Sequence, residues 1–149
     1  MPIATQPASS ATPGAPDADA AARLRLRDGT AVTLRTSDLA RDASIAGDER
    51  ATITAQAEGH IAGKVSYERV YGPRAVLWID VEDAFWHRGL PELLLTALCA
   101  RAARLGIATF LMRVCASDVR LLALLRERFD ARARRDGGHV DIEFAVPAQ

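Results

Sequence analysis

The sequence predicts an α/β (α+β) fold: a mixed, mostly antiparallel sheet of six or seven strands with two main helices and a shortened N-terminal helical region. Three observations predict it. Up to residue 81, apolar and polar residues alternate in runs broken by short glycine turns, the pattern of strands joined as hairpins. A glycine-bearing turn at residues 86–91 then feeds an amphipathic helical run. That run lies between two apolar strands, which makes a right-handed crossover between parallel neighbours.

Residues 1–22 are rich in Ala, Pro, Ser, Thr and Asp. Such a segment buries too little to offset its ordering entropy and reads as a disordered tail, leaving a single domain over residues 23–149. Residues 23–27 and 31–35 alternate around the turn Asp28-Gly29, a strand pair. Ser37 is placed to cap a short helix over residues 38–43. Residues 51–57 and 61–70, joined at Glu58-Gly59, read as a second hairpin, and a further strand follows at 75–81. The helical run carries Leu93, Leu94, Leu98, Ala102 and Leu105 and ends at Gly106. A strand over 107–114 completes the crossover. Ser117 or Asp118 caps a second helix, and a turn at 136–138 leads to a last strand with Val140, Ile142, Phe144 and Val146 on one face.

Composition excludes several classes. Nineteen basic residues balance nineteen acidic ones, so no net field draws the protein to nucleic acid or to a membrane surface. The arginines of the C-terminal third are interrupted by acids and lack aromatic readout groups, the pattern of a solvated face. No apolar stretch is long enough to span a bilayer, and no secretory signal opens the chain. Cys99 and Cys115 each sit in an apolar run without a partner motif, which predicts buried free thiols and a reduced, cytoplasmic setting. His60, His87 and His139 are scattered, and no carboxylate or cysteine stands at ligand spacing, so no metal site is expected.

The chemistry points to the junction between residue 81 and the helix that follows. A glycine turn feeding a helix N-terminus gathers unpaired N–H groups and positive partial charge at one spot, which suits a phosphate. Arg88 is placed to add a charge-assisted contact. Pro91 suits the first turn of a helix, but it has no N–H to give.

The order of elements resembles the GNAT superfamily of N-acetyltransferases. The resemblance extends over residues 24–147, through Leu26-Arg27-Asp28-Gly29-Thr30, the turn Trp86-His87-Arg88-Gly89-Leu90-Pro91, the helix that follows it, and Ala116-Ser117-Asp118. In pattern it is closest to bacterial protein-lysine acetyltransferase domains. The resemblance implies a turn of the form Q/R-x-x-G-x-G/A that holds the pyrophosphate of acetyl-CoA or CoA. The cofactor-binding residues would be Val81, Trp86, His87, Arg88, Gly89, Leu90, Pro91 and Asp118. It implies an N-acyltransferase acting on an amine, such as a protein lysine, by direct attack on the thioester within a ternary complex. A backbone N–H near Val81 would polarise the carbonyl.

Several positions depart from the family pattern. Trp86 replaces Gln/Arg, and Pro91 replaces the last Gly/Ala. The glutamate base falls at Val76; Asp80, of the same strand parity, is the substitute candidate. The family's asparagine and tyrosine positions read Asp118 and Leu125, and its Leu-Gly-Phe reads Arg128-Phe129-Asp130. The stretch between Arg35 and Ala51 is short for two substrate-side helices. These departures support an alternative, a catalytically degenerate domain serving as a regulatory or protein-interaction module.

Overall fold

The computed structural model describes residues 21–39 and 50–147. Five strands come first: β1 (Ala21–Arg25), β2 (Ala31–Leu39), β3 (Arg50–Ala57), β4 (His60–Tyr71) and β5 (Arg74–Val81). A single helical turn, α1 (Asp83–Trp86), precedes the long helix α2 (Leu90–Arg104). Then follow β6 (Thr109–Cys115), α3 (Val119–Phe129), β7 (Arg132–Asp136) and β8 (His139–Ala145). The eight strands form one sheet in the order β1-β2-β3-β4-β5-β6-β8-β7, and only β5 and β6 run parallel.

The mixed, mostly antiparallel architecture is the expected one, with eight strands instead of six or seven. Every residue of the edge strands β1 and β7 is exposed, so neither has a buried face to imprint a clear alternation. β1 begins at Ala21, inside the stretch expected to be tail; the rest of that stretch, residues 1–20, lies outside the described residues. The helix expected over 38–43 is not what its first residues form. β2 continues through Leu39, because Ser37, Asp38 and Leu39 pair with Thr52, Ala51 and Arg50 of β3. A ladder partner overrides a local capping signal. Residues 40–43 lie outside the described residues.

Register assigns the faces, since paired residues share one. Tyr67 opposite Leu77, Ala75 opposite Phe110, and Phe110 opposite Phe144 are all buried. Both long helices cover this face. Arg101 of α2 donates to the Tyr67 hydroxyl at 3.1 Å, and Phe129 of α3 packs on Phe144 with ring centroids 5.4 Å apart. The helix α2 buries Leu94, Leu95, Leu98 and Ala102, and is closed by Leu105 and by Gly106 at φ 77°.

The opposite face carries Lys64, Ser66, Val76, Trp78, Asp80, Leu111, Arg113 and Cys115, and among the described residues no helix covers it. Strand parity corrects the expectation of two buried thiols. Cys99 is buried and pushed up to about 11 by desolvation. Cys115 sits at an outward position of β6, exposed, 3.2 Å from the Ser117 hydroxyl, and that hydrogen bond lowers its pKa. No helix among the described residues is long and apolar enough to cross a membrane.

Candidate functional site

The site is built on a split in the sheet. β5 and β6 pair only at Arg74–Thr109, Ala75–Phe110 and Val76–Leu111, although β5 runs on to Val81 and β6 to Cys115. Beyond Val76 the two strands part. Glu82 donates its N–H to Ala62 of β4 at 2.9 Å, which fixes the alternation: even residues of β5 turn their amides toward β4, odd ones toward β6. The backbone groups of Ile79 and Val81 therefore face the gap, where no described strand pairs with them. Val81, whose N–H is expected to polarise a carbonyl, turns that N–H into the gap.

The chain turns at the top of the gap. Glu82 precedes α1, His87 ends it on the exposed surface, and Gly89 opens α2 in the left-handed region at φ 88°. Among the described residues no side chain caps α2, Leu90 is its first residue, and Pro91 is buried in the first turn. The amides of Gly89, Leu90 and Glu92 thus remain as donors at the positive end of a fifteen-residue helix. A site that must neutralise a diphosphate requires such a donor set, and these residues fit one even without an amide at Pro91.

Arg88, expected to face a phosphate, is held by acidic side chains of two neighbouring turns. It donates to Asp28 Oδ2 at 2.8 Å, to the Thr30 hydroxyl and to Glu58 Oε2 at 3.1 Å, and its guanidinium lies 4.3 Å from the Phe85 ring centroid. The reason is tertiary: the β1–β2 and β3–β4 turns bring two carboxylates, remote in sequence, to one guanidinium. Arg88 fastens the site's three loops together. A second cation, Arg27, lies over the helix end, where the sequence motif did not point to it. Its Nε would lie 3.1 Å from a Cβ at Gly89, and it stands 3.7 Å from Glu92. Only the folding of the first hairpin over α2 places it there.

Charge in this cluster is well defined. Asp28 accepts from the Thr30 hydroxyl and amide, and then from Arg88, which together hold its carboxyl down at about 2. Being depressed on folding, it contributes stability above the ordinary carboxylate range that is lost as pH falls toward 2. His60 meets Glu82 Oε1 at 2.9 Å, and that hydrogen bond raises its pKa. A raised histidine stabilises fully below its unfolded value and loses the contribution as pH rises through its folded one. The substitution Glu82→Gln will lower the His60 midpoint in an NMR titration of its ring protons.

At the far lip, Asp118 caps α3 by accepting from Leu121 N at 3.4 Å. Arg120 reaches from α3 to α1, pairing with Asp83 at 2.9 Å and lying 4.5 Å from the Trp86 ring centroid. Trp86 is half-buried against the core beneath it. Asp80 shares the open face with Val76 and lies opposite Lys64. Among the described residues no group of His, Cys, Asp and Glu is arranged to hold a metal.

A sheet split between its two parallel strands, with an uncapped helix end above the split, defines the GNAT acyltransferase class of fold. Residues 19–130 match the acetyltransferase (GNAT) family, and the chain belongs to it. No curated protein sequence matches the chain significantly. Among solved structures it is similar to the GNAT domain of S. lividans PAT, with 19% identity, a TM-score of 0.71, and coverage of 85% of this chain and 97% of that one. It is also similar to a cAMP-binding acyltransferase from Mycobacterium smegmatis, in its E234A mutant form (19%, TM-score 0.71, 86% of this chain), of which it spans about half, 48%. A third likeness is to the PaiA N-acetyltransferase of Thermoplasma acidophilum in complex with coenzyme A (14%, TM-score 0.58, 63% and 59%). At these identities the likeness is one of fold.

Proposed function

We propose that this protein is an acyl-CoA-dependent N-acyltransferase, with acetyl-CoA as the acyl donor. The observation that carries the reading is the gap beyond Val76–Leu111, bordered by the unpaired backbone groups of Ile79 and Val81 and headed by the free end of α2. In this reading the amides of Gly89, Leu90 and Glu92 hold the diphosphate, with Arg27 supplying the adjacent positive charge. Trp86, His87 and Asp118 border the entrance, and the Ile79 and Val81 amides hold carbonyl oxygens in the gap. When bound, the thioester supplies the activated acyl group. An amine arriving from the open face gives one proton to water relayed to Asp80. Its nitrogen forms the C–N bond as the C–S bond breaks, and the second proton of the arriving ammonium passes to the departing sulfur, which leaves as thiol.

Two observations favour a second reading, a degenerate module that no longer turns over. Arg120 already bridges the two lips of the gap, and Val76 stands where a carboxylate base would be. Calorimetric titration with acetyl-CoA and with CoA separates the two. Saturable binding, a raised Tm, and the loss of both in a folded Gly89→Trp variant are the outcomes expected of the enzyme. Neither heat nor a thermal shift at millimolar ligand leaves the module.

A further inference from the structure

On the face of the sheet that no described helix covers, a groove of about 470 Å³ runs over β6, β8 and β7, lined by Val76, Leu111, Arg113, Glu143, Arg132 and Arg134 among others. We propose that this groove is the acceptor site of the N-acyltransferase, and that its acceptor is a small amine carrying a carboxylate several bonds away. The inference rests on the N-acyltransferase reading for its chemistry and on the groove for its specificity.

Position is the first argument. Val76 and Leu111 are the last pair before β5 and β6 part, so one end of the groove opens where the gap begins. An acyl group entering from the helix-covered side reaches the other face of the sheet beside this end. Size is the second. The volume falls within the roughly 300–1,000 Å³ of small-molecule sites.

Charge is the third argument and decides the class of acceptor. The groove holds three arginines in different states. Arg113 is saturated, pairing with Asp136 at 2.8 Å and with Asp141 at 3.0 Å. Arg132 and Arg134 stand on the exposed edge strand β7, and neither has an ion pair or hydrogen bond among the described residues. The carboxylates on the groove floor are already engaged: Asp141 by Arg113, and Glu143 by Arg74 at 3.5 Å. Register places Arg132 opposite Glu143 and Arg134 opposite Asp141, two residues apart on one face. Two guanidinium groups in that arrangement suit one incoming carboxylate from both sides.

Spacing refines the class. β7 lies two strands beyond β6, the strand that borders the gap, which is ~10 Å across the sheet. A carboxylate held by Arg132 and Arg134 therefore leaves the reacting nitrogen at the gap only if a chain of several bonds separates them. An ω-amino carboxylate meets that requirement, whereas an α-amino group next to its own carboxylate does not reach. The apolar Val76 and Leu111 suit the methylenes between.

The test compares 5-aminopentanoate with pentylamine as acceptors, using acetyl-CoA, in the parent and in Arg132→Gln/Arg134→Gln. The parent should prefer the carboxylate-bearing amine, and the ratio of the two kcat/KM values should fall about tenfold in the variant, the effect of losing charge-assisted contacts. Acetylation without that preference, with a preference the variant keeps, or of polypeptide lysines alone overturns the inference and leaves the N-acyltransferase reading intact. If no amine is acetylated, that reading fails, and NMR titration with 5-aminopentanoate decides the groove by itself. Shifts at the Leu111, Glu143 and Arg132 amides that disappear in the variant sustain the binding site; their absence from the parent overturns it.

Discussion

The substitution Phe110→Ala will lower the unfolding free energy by about 3–5 kcal/mol, the range for truncating a buried aromatic. Phe110 is fully buried on β6, the strand that joins the parallel and antiparallel parts of the sheet. Its ring lies 6.3 Å from that of Tyr67 on β4 and 5.7 Å from that of Phe144 on β8, each in a tilted or edge-on contact. Those neighbours come from opposite sides of β6, so removing the ring loosens both halves at once. It also sits at one of the three pairs that hold β5 to β6. A urea midpoint that falls by less than the equivalent of 1 kcal/mol would mean that the core collapses around the vacancy, and the argument for a rigid junction would fail.

The second large effect is expected at Gly63. A Cβ there would meet Val81 Cγ2 at 3.1 Å, the Asp80 carbonyl at 3.2 Å and Leu94 Cδ1 at 3.2 Å. The carbonyl belongs to a paired strand and cannot give way, so the displacement must be taken up by α2 through Leu94. Gly63→Val will therefore cost about 1–3 kcal/mol by overpacking and shift the start of α2 relative to Val81. Acetyl-CoA binding should weaken beyond what the stability loss explains, since the helix end and the gap would no longer be in register. Gly138→Ala is the control: a Cβ meets nothing within 4 Å there, and its backbone needs no positive φ. Its unfolding free energy should stay within about 0.5 kcal/mol of the parent. Equal effects in the two variants would refute the close-approach argument.

The sequence made the interior strands and both long helices legible, because each has one buried face and so a period to read. Tyr67, Leu77, Phe110 and Ile142 all fall on positions that alternation alone marks as inward. It did not make β1 or β7 legible to the same degree, since neither strand buries a residue. At the site, the turn at residues 86–91 was visible from its glycine and from the helix behind it. The partners of Arg88 were not, because Asp28 and Glu58 reach it only through two hairpin turns. The place of Arg27 over Gly89 was hidden for the same reason. Local pattern reports what a residue can do; tertiary contact decides which partner it meets.

The three-pair join between β5 and β6 has a mechanical consequence. The meander from β1 to β5 is assembled from consecutive hairpins, but its attachment to β6 waits until the whole α2 crossover has closed. Loop-closure entropy opposes that attachment, and few ladder bonds reward it. Above Val76 no ladder links the two halves, while the packing of Phe110 below keeps the join itself rigid. A guest lodged between the separated strands would supply the cross-connection that their backbones lack there.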